Sequence, residues 1–426
     1  MMFGWILLLL IVLIVLRVRL AFALLLVSLV YFWFADIPNQ IIPSRIMAAT
    51  QSFPLLAIPL FILAGNLMNK TGMTERLFRF STAALRSVPG GLGHVVVVVG
   101  MLMAGTSGAA IADAAALARI SVDEMEKNGY PRPLGSVICA FAATMGPLIP
   151  PSIMFIIFSW LAGVSVNRLF IAGAIPGLLV GVFMMITILI LLRNKRTGDA
   201  PVRTTLAEIL TTGRAAFWPI IMPVVVLGGI IAGIFTATEA AAIAVVYALL
   251  VGGVIFRKLN ATLVWEALHE TVVTSSAIML IVAASYPFGW ILSAEQVPQG
   301  VLAYTTGISE NPIVLLLIVN LMLLLLGMIM ETTAVLLIVV PMLLPLMSSI
   351  GVDPIQFGVI VSANLLLGTI TPPFGILMFT VCSITNVSTV AFQKAAIPFY
   401  IAFLLLICLV TYVPAVSLWL PSVLLD

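Results

Sequence analysis

Charge is what this sequence has least of. Its 19 Lys and Arg and 16 Asp and Glu make up 8% of 426 residues, against 62% hydrophobic residues and a mean hydropathy of +1.26. So few charges cannot cover a soluble domain, and the many apolar runs of about 20 residues are long enough to span a bilayer. The chain reads as an all-α polytopic membrane protein. Cysteine is scarce too. Cys139, Cys382 and Cys408 sit singly in apolar runs, without disulfide or metal-ligand spacing, and are expected to be small buried residues. The two histidines, His94 and His269, also stand alone, which excludes a Cys/His metal set. His94 is expected to be structural; His269, with Glu266 and Glu270, reads as a solvated inner connector. Pro89-Gly-Gly-Leu-Gly93 is followed by no Lys-Ser/Thr and preceded by no strand, so it is no phosphate loop. There is no Walker motif and no nucleophile elbow. An enzyme is therefore not expected, and energy from ATP would have to come from another chain. Met1 to Leu16 has no basic segment before its apolar stretch, and reads as a retained span rather than a cleaved signal peptide.

Proline is present where a helix should not have it. Ala143-Thr-Met-Gly-Pro-Leu-Ile-Pro-Pro-Ser152 and Leu366-Leu-Gly-Thr-Ile-Thr-Pro-Pro-Phe-Gly375 each place a Gly four residues before a Pro-Pro pair. The interval from Pro151 to Pro176 equals that from Pro373 to Pro398, 25 residues. Pro removes a donor and clashes with the preceding turn, so both helices should open there. Broken helices at matching positions of two halves point to a secondary transporter's binding site.

Full spans are placed at about 4–16, 20–35, 52–68, 133–162, 168–192, 216–234, 238–256, 271–293, 356–385 and 395–421. Two further apolar regions, 92–118 and 312–350, are cut by Gly105-Thr-Ser-Gly108 and by Glu331-Thr332-Thr333. Polar clusters at membrane depth are costly unless they face protein or water. Each region therefore reads as a re-entrant helical hairpin with a buried polar tip. With the amino terminus outside, this topology leaves only Arg45 and Arg168 of the 19 basic residues on the outer side, as the positive-inside rule demands. Five spans and one hairpin per half make the repeats inverted. Residues 1–192 form the first, 193–214 a basic cytoplasmic linker and 215–426 the second. Stretches 71–79 and 296–304, before the hairpins, suit the membrane surface. Lys195 and Arg196 are expected to face the cytoplasm, and Glu310 and Asp353 the opposite side. Single-cysteine labelling in intact cells checks this; impermeant reagent reaching position 195 but not 353 would overturn the inverted topology.

The hairpin tips are Thr106, Ser107 and Gly108, and Thr332 and Thr333. Gly146 to Pro150 and Gly368 to Pro372 supply unwound backbone opposite them. Freed carbonyls and hydroxyls suit a small cation such as sodium, while exposed helix amino termini suit an anion. Ser, Thr and Gly also serve close helix packing, but two tips and two breaks in register favour a transport site. Asp113, six residues after Ser107, is either a cation ligand or proton acceptor, or a structural carboxylate bonded to the tip or paired with Arg119. Glu331 could support a second cation site. These two are the candidate coupling groups. Glu239 reads as part of a helix cap with Thr236 or Thr238. Two hairpins facing two broken helices form a compact module, about 92–162 and 312–385, suited to rigid-body motion against the remaining spans as scaffold.

Several blocks together resemble one family: Phe53-Pro-Leu-Leu-Ala-Ile-Pro-Leu-Phe61, Ala104-Gly-Thr-Ser-Gly-Ala-Ala110 with Asp113, Gly146-Pro-Leu-Ile-Pro-Pro-Ser152, Gly233-Ile-Phe-Thr-Ala-Thr-Glu-Ala-Ala241 and Gly368-Thr-Ile-Thr-Pro-Pro-Phe-Gly375. Essentially the whole chain is similar to the large membrane subunit of tripartite ATP-independent periplasmic (TRAP) transporters. The resemblance implies an ion-transporter-superfamily fold with an elevator mechanism and sodium-coupled import of an organic acid. It also implies a small four-span subunit, expected as a separate chain, and a periplasmic substrate-binding protein. By resemblance, sodium sites fall at Thr106, Ser107 and Gly108 with Gly146, Pro150 and Ser152, and at Thr332 and Thr333 with Gly368, Thr369 and Thr371. Ser107, Pro150, Thr332 and Pro372 would meet the substrate. Arg17-Val-Arg19 departs from the family, where Gly and Pro are commoner. The expected setting is a bacterial or archaeal cytoplasmic membrane with its lipid, without organic cofactor or nucleic acid. The alternative is a free-standing sodium- or proton-coupled carboxylate transporter of the same superfold. A channel would need a continuous polar pore, whereas the polar residues here gather at the midplane.

Overall fold

A computed structural model describes residues 2–16, 18–38, 40–107, 110–193 and 204–425, and among these there are helices but no strand. The first half begins with α1 (Met2–Val15), α2 (Leu20–Phe34) and α3 (Ile41–Thr50). A 3₁₀ turn at Phe53–Leu56 leads into α4 (Ala57–Lys70), and Gly72, at φ +75°, turns the chain into the amphipathic α5 (Met73–Leu85). The arms of the first hairpin are α6 (Gly91–Ser107) and α7 (Ala110–Lys127). The first broken helix is α8 (Arg132–Ala143) with α9 (Ile153–Ala162), and α10 (Val166–Leu192) ends the half. In the second half come α11 (Leu206–Ile231), α12 (Ala237–Leu250) with a π turn at Val251–Ile255, α13 (Ala261–Ala294) and α14 (Val297–Ile308). The second hairpin is α15 (Pro312–Ile329) and α16 (Thr332–Ser349); the second broken helix is α17 (Pro354–Gly368) with α18 (Ile376–Thr385). Last are α19 (Thr389–Tyr412) and α20 (Ala415–Leu425). Eight of the described helices are apolar and long enough to cross a membrane. The two interruptions fall where the Pro-Pro pairs stand, and both pairs have a cis peptide bond.

Several elements differ from the sequence reading. Helix α3 was not anticipated: ten residues with Pro43, Ser44 and Arg45 are too short and polar to read as a span. Helix α13 runs back to Ala261, so Glu266, His269 and Glu270 lie on a helix rather than in a connector. Lys70 of α4 pairs with Glu266 at 3.0 Å and Glu270 at 2.9 Å, residues one turn apart on that helix. Helix α11 begins at Leu206, within the basic stretch between the halves; Lys195 and Arg196 lie outside the described residues. The last span is two helices, because Pro414 cannot continue α19. Cys139 and Cys382 are buried, but Cys408 is exposed on α19. In a bilayer an apolar run marks lipid-facing and core surfaces alike, so sequence cannot separate them. Thr236, not Thr238, caps α12. It forms a reciprocal box with Glu239, whose carboxylate accepts the Thr236 N–H at 2.8 Å.

The helices pack as two groups that meet where α6 lies on α4 and α5 and where α16 lies on α13 and α14. Helix α7 lies on α8 and α18, α15 on α17, and α16 on α9, while α10 and α19 pack on these helices and on each other. In the other group α4 packs on α12 and α13, α5 on α11, and α2 on α13. Glycines permit the closest approach. A Cβ on Gly368 would lie 2.5 Å from the carbonyl carbon of Gly327, so the second break and the arm α15 touch backbone to backbone. Beside it, Asn364 Nδ2 donates to Asn320 Oδ1 at 2.6 Å, Asn320 Nδ2 donates to Thr411 Oγ1 at 3.1 Å, and Gln356 Nε2 donates to the carbonyl of Thr411 at 3.0 Å. This network ties α15, α17 and α19, and it satisfies amides that would be costly bare in an apolar interior. At the other end Arg132 of α8 donates through Nε to the carbonyl of Thr385, closing the carboxyl end of α18 at 2.7 Å, and pairs with Asp123 at 2.9 Å and with Glu126.

Candidate functional site

A cavity of about 500 Å³ lies where the two groups meet. Its wall contains the first residues of four helices: Ala110 to Ala112 of α7, Ile153 and Met154 of α9, Thr332 and Thr333 of α16, and Ile376 and Leu377 of α18. Each amino terminus brings the positive end of a helix dipole, although Ser152 accepts the Phe155 N–H of α9, Glu331 the Ala334 N–H of α16 and the Thr369 carbonyl the Leu377 N–H of α18. Their convergence follows from the two inverted repeats, each contributing one hairpin return and one restart after a break. Carboxyl ends contribute as well, through Leu366 and Thr369 beside the end of α17, and Pro147 of the first break. The opposite wall is formed by Ile62, Gly65, Asn66 and Asn69 of α4 with Thr274 and Ile278 of α13. No Lys, Arg or His is among the described lining residues, and Glu331 is the one charged side chain there. Helix ends of both signs around one space can hold an anion beside a small cation.

The candidate residues fall into distinct positions. Glu331, Thr332, Thr333 and Thr369 line the cavity. Glu331 caps α16: its Oε2 accepts the Ala334 N–H at 3.1 Å and its Oε1 accepts the Thr333 hydroxyl at 2.9 Å. Thr369 and Thr371 donate to the carbonyls of Leu366 and Leu367 at 2.6 and 2.7 Å. A hydroxyl that gives its proton to a carbonyl keeps oxygen lone pairs for a cation, so these bonds leave the cation role open. Ser152 is buried as the cap of α9, donating to the carbonyl of Pro147 at 2.5 Å and accepting the Phe155 N–H at 3.3 Å. Gly146, Pro150, Gly368, Thr371 and Pro372 belong to the breaks but do not line the cavity. The first break is buried from Gly146 to Pro151 except Ile149, whereas Pro372 to Phe374 of the second are exposed. Thr106 and Ser107 end α6, with side chains outside the described residues, as is the whole of Gly108. Asp113 is buried in the first turn of α7 and is not a lining residue. Arg119 is exposed six residues on, turned to another face, so pairing between them is not the arrangement found.

Asn66, Asn69 and Thr274 were missed by the sequence reading. Asn66 Nδ2 donates to Thr271 Oγ1 at 3.0 Å, bridging α4 and α13, and Asn69 Oδ1 accepts from Thr74 Oγ1 at 2.5 Å. A signal existed. Two Asn three residues apart in an apolar helix share one face, and polar groups in spans mark cavities. The second break is also anchored from outside the cavity: the Tyr400 hydroxyl lies 2.9 Å from the carbonyl oxygen of Ile370.

Comparison with known proteins agrees with this architecture. The family described as "Tripartite ATP-independent periplasmic transporter, DctM component" matches residues 7–416. The chain is 35% identical over 381 residues to the sialic acid TRAP transporter large permease protein SiaM of Vibrio cholerae, covering 89% of each chain. It is 36% identical over 378 residues to the C4-dicarboxylate TRAP transporter large permease protein DctM of Pseudomonas aeruginosa, covering 89% of this chain and 88% of that one. The crystal structure of the Alcanivorax borkumensis YdaH transporter shares the fold, with a TM-score of 0.65 at 15% identity over 89% of this chain and 90% of that one. The match across nearly the whole length, with these helices and this pair of breaks, makes the chain a member of the DctM family, the large permeases of tripartite ATP-independent periplasmic transporters.

Proposed function

We propose that this chain imports a small organic acid together with sodium, receiving the acid from a periplasmic binding protein and working beside a separate four-span subunit. The observation that carries the reading is the convergence of four helix amino termini on one cavity without a basic side chain in its described wall. The helix dipoles favour an anion, but the described wall offers it no basic side chain and holds the Glu331 carboxylate, so a bound cation completes the site. Oxygen donors for sodium would come from Thr106, Ser107 and Gly108 with the first break, and from Thr332, Thr333 and Thr369 with the second. Glu331 would stabilise the cation from the cap of α16, and Asp113 would support the first tip from behind. The acid would lie between Thr332 and the wall of Asn66, Asn69 and Thr274. The moving body would comprise 92–162 and 312–385; α10 and α19, which pack on it, would travel with it. The other helices would stay as scaffold, so the site moves whole and its cation ligands stay in place.

Reconstitution of the complete complex in proteoliposomes tests this, with succinate and sialic acid as trial acids and an imposed sodium gradient. Uptake should follow the inward gradient and stop when sodium is replaced by choline. Uptake indifferent to sodium would remove the coupling. Within the same assay, Ser107→Ala and Thr332→Ala should each weaken apparent sodium affinity by about 1–3 kcal/mol, the range for a lost buried polar contact. Unchanged sodium dependence in both would return these hydroxyls to helix packing.

A further inference from the structure

A second cleft, of about 420 Å³, lies on the same helices as the first. On α9 the midplane cavity is lined by Ile153 and the cleft by Trp160; on α13 the corresponding residues are Ile278 and Ser285. Seven residues of helix separate the members of each pair, about 10 Å at 1.5 Å per residue. Helix α16 repeats the pattern, with Thr333 below and Leu337 and Pro341 above. The two chambers are therefore stacked along the same three helices, the second nearer their carboxyl ends, which are the outer ends when the amino terminus is outside.

What lines the outer chamber differs in kind. Arg45 of α3 stands there with Trp160, Tyr286 and Trp290, and the rings of Trp160 and Tyr286 stack at 5.5 Å between the two helix groups. Arg45 makes no ion pair among the described residues. With the amino terminus outside, the outer surface carries Asp36, Glu239, Glu295, Glu310 and Asp353 against Arg45 and Arg168. On that acidic surface Arg45 is a cation that lines a cleft. A planar guanidinium matches a carboxylate in two parallel hydrogen bonds, and aromatic faces pack a carbon skeleton.

The geometry points to a second, outer binding site for a carboxylic acid, with Arg45 taking the carboxylate and Trp160, Tyr286 and Trp290 the carbon skeleton. It rests on the proposal that the cargo is an organic acid. The acid would wait there above the midplane cavity. If the moving body shifts outward, its α9 and α16 walls come level with Arg45, which then faces the cargo on the outer side as Asn66 and Thr274 do here.

Tryptophan emission separates the two sites. Two of the chain's seven tryptophans, Trp160 and Trp290, line the outer cleft, and none lines the midplane cavity. The full chain in detergent, in choline buffer without sodium, is titrated with acetate, succinate and sialic acid, and with succinamide as the uncharged counterpart. At least one acid should change the emission saturably, and succinamide should not. Arg45→Gln should weaken that response tenfold or more while the thermal melt stays in place; Arg45→Lys, which keeps charge but not the planar fork, should weaken it a few-fold. A response unchanged in Arg45→Gln, or no response to any of the three acids up to tens of millimolar, would overturn the site. The readout needs neither sodium nor transport. An Arg45-dependent response without sodium-driven uptake would sink the proposed function and leave the site; uptake without the response would do the reverse.

Discussion

Tethering Ala284 of α13 to Ile338 of α16 abolishes uptake, and releasing the tether restores it. This is the largest effect expected, because in the proposed mechanism the two residues join groups that move past one another. Ala284 is buried in the smaller apolar cluster, where α1 and α2 meet the carboxyl-terminal part of α13, and Ile338 packs against that cluster from the second hairpin. In a background without Cys139, Cys382 and Cys408, cysteines at both positions are bridged by a short bis-methanethiosulfonate and the proteoliposome assay is repeated. Uptake should fall to the sodium-free level and return with reductant. Bridges inside one group, such as between α4 and α12, should leave it largely intact. Full uptake with the α13–α16 bridge in place would replace rigid-body motion by local gating.

The second large effect belongs to packing. Gly368→Val should cost the protein its assembled core as well as its transport. An added β-carbon has no room: it would sit 2.5 Å from the Gly327 carbonyl carbon, and the obstacle is backbone, which cannot swing aside as a side chain can. Overpacking of this kind costs about 1–3 kcal/mol or more. Displacing α15 from α17 would also strain the Asn320–Asn364 bond next to the contact. Gly228→Ala is the matched control, since nothing lies within 4 Å of its added carbon. A thermal melt of the purified protein should fall by several degrees for Gly368→Val and hold for Gly228→Ala. Equal melts would mean that the two backbones separate without penalty.

Both breaks and both hairpins were legible because their causes are local. Pro150-Pro151 and Pro372-Pro373 interrupt hydrogen bonding wherever they occur, and a Thr-Thr pair deep in an apolar run is costly unless the chain turns there and buries it. The inverted arrangement was legible from where Lys and Arg lie. The midplane cavity was legible by one wall only. Asn66 and Thr274 come from helices some 200 residues apart in sequence, and no local pattern says that they face the same space. The Asn320–Asn364–Thr411 network was hidden for the same reason, since each amide finds its partner only after folding. Exposure of Cys408 was illegible because lipid and core favour the same side chains.

The convergence of helix amino termini has a consequence for how such a site can change over time. On this reading the attraction for an anion resides in the main chain, which no side-chain replacement deletes. Selectivity resides instead in a few replaceable neighbours such as Asn66, Asn69 and Thr274. A lineage can therefore exchange one acid for another through single substitutions, without passing through a form that has lost its hold on carboxylates.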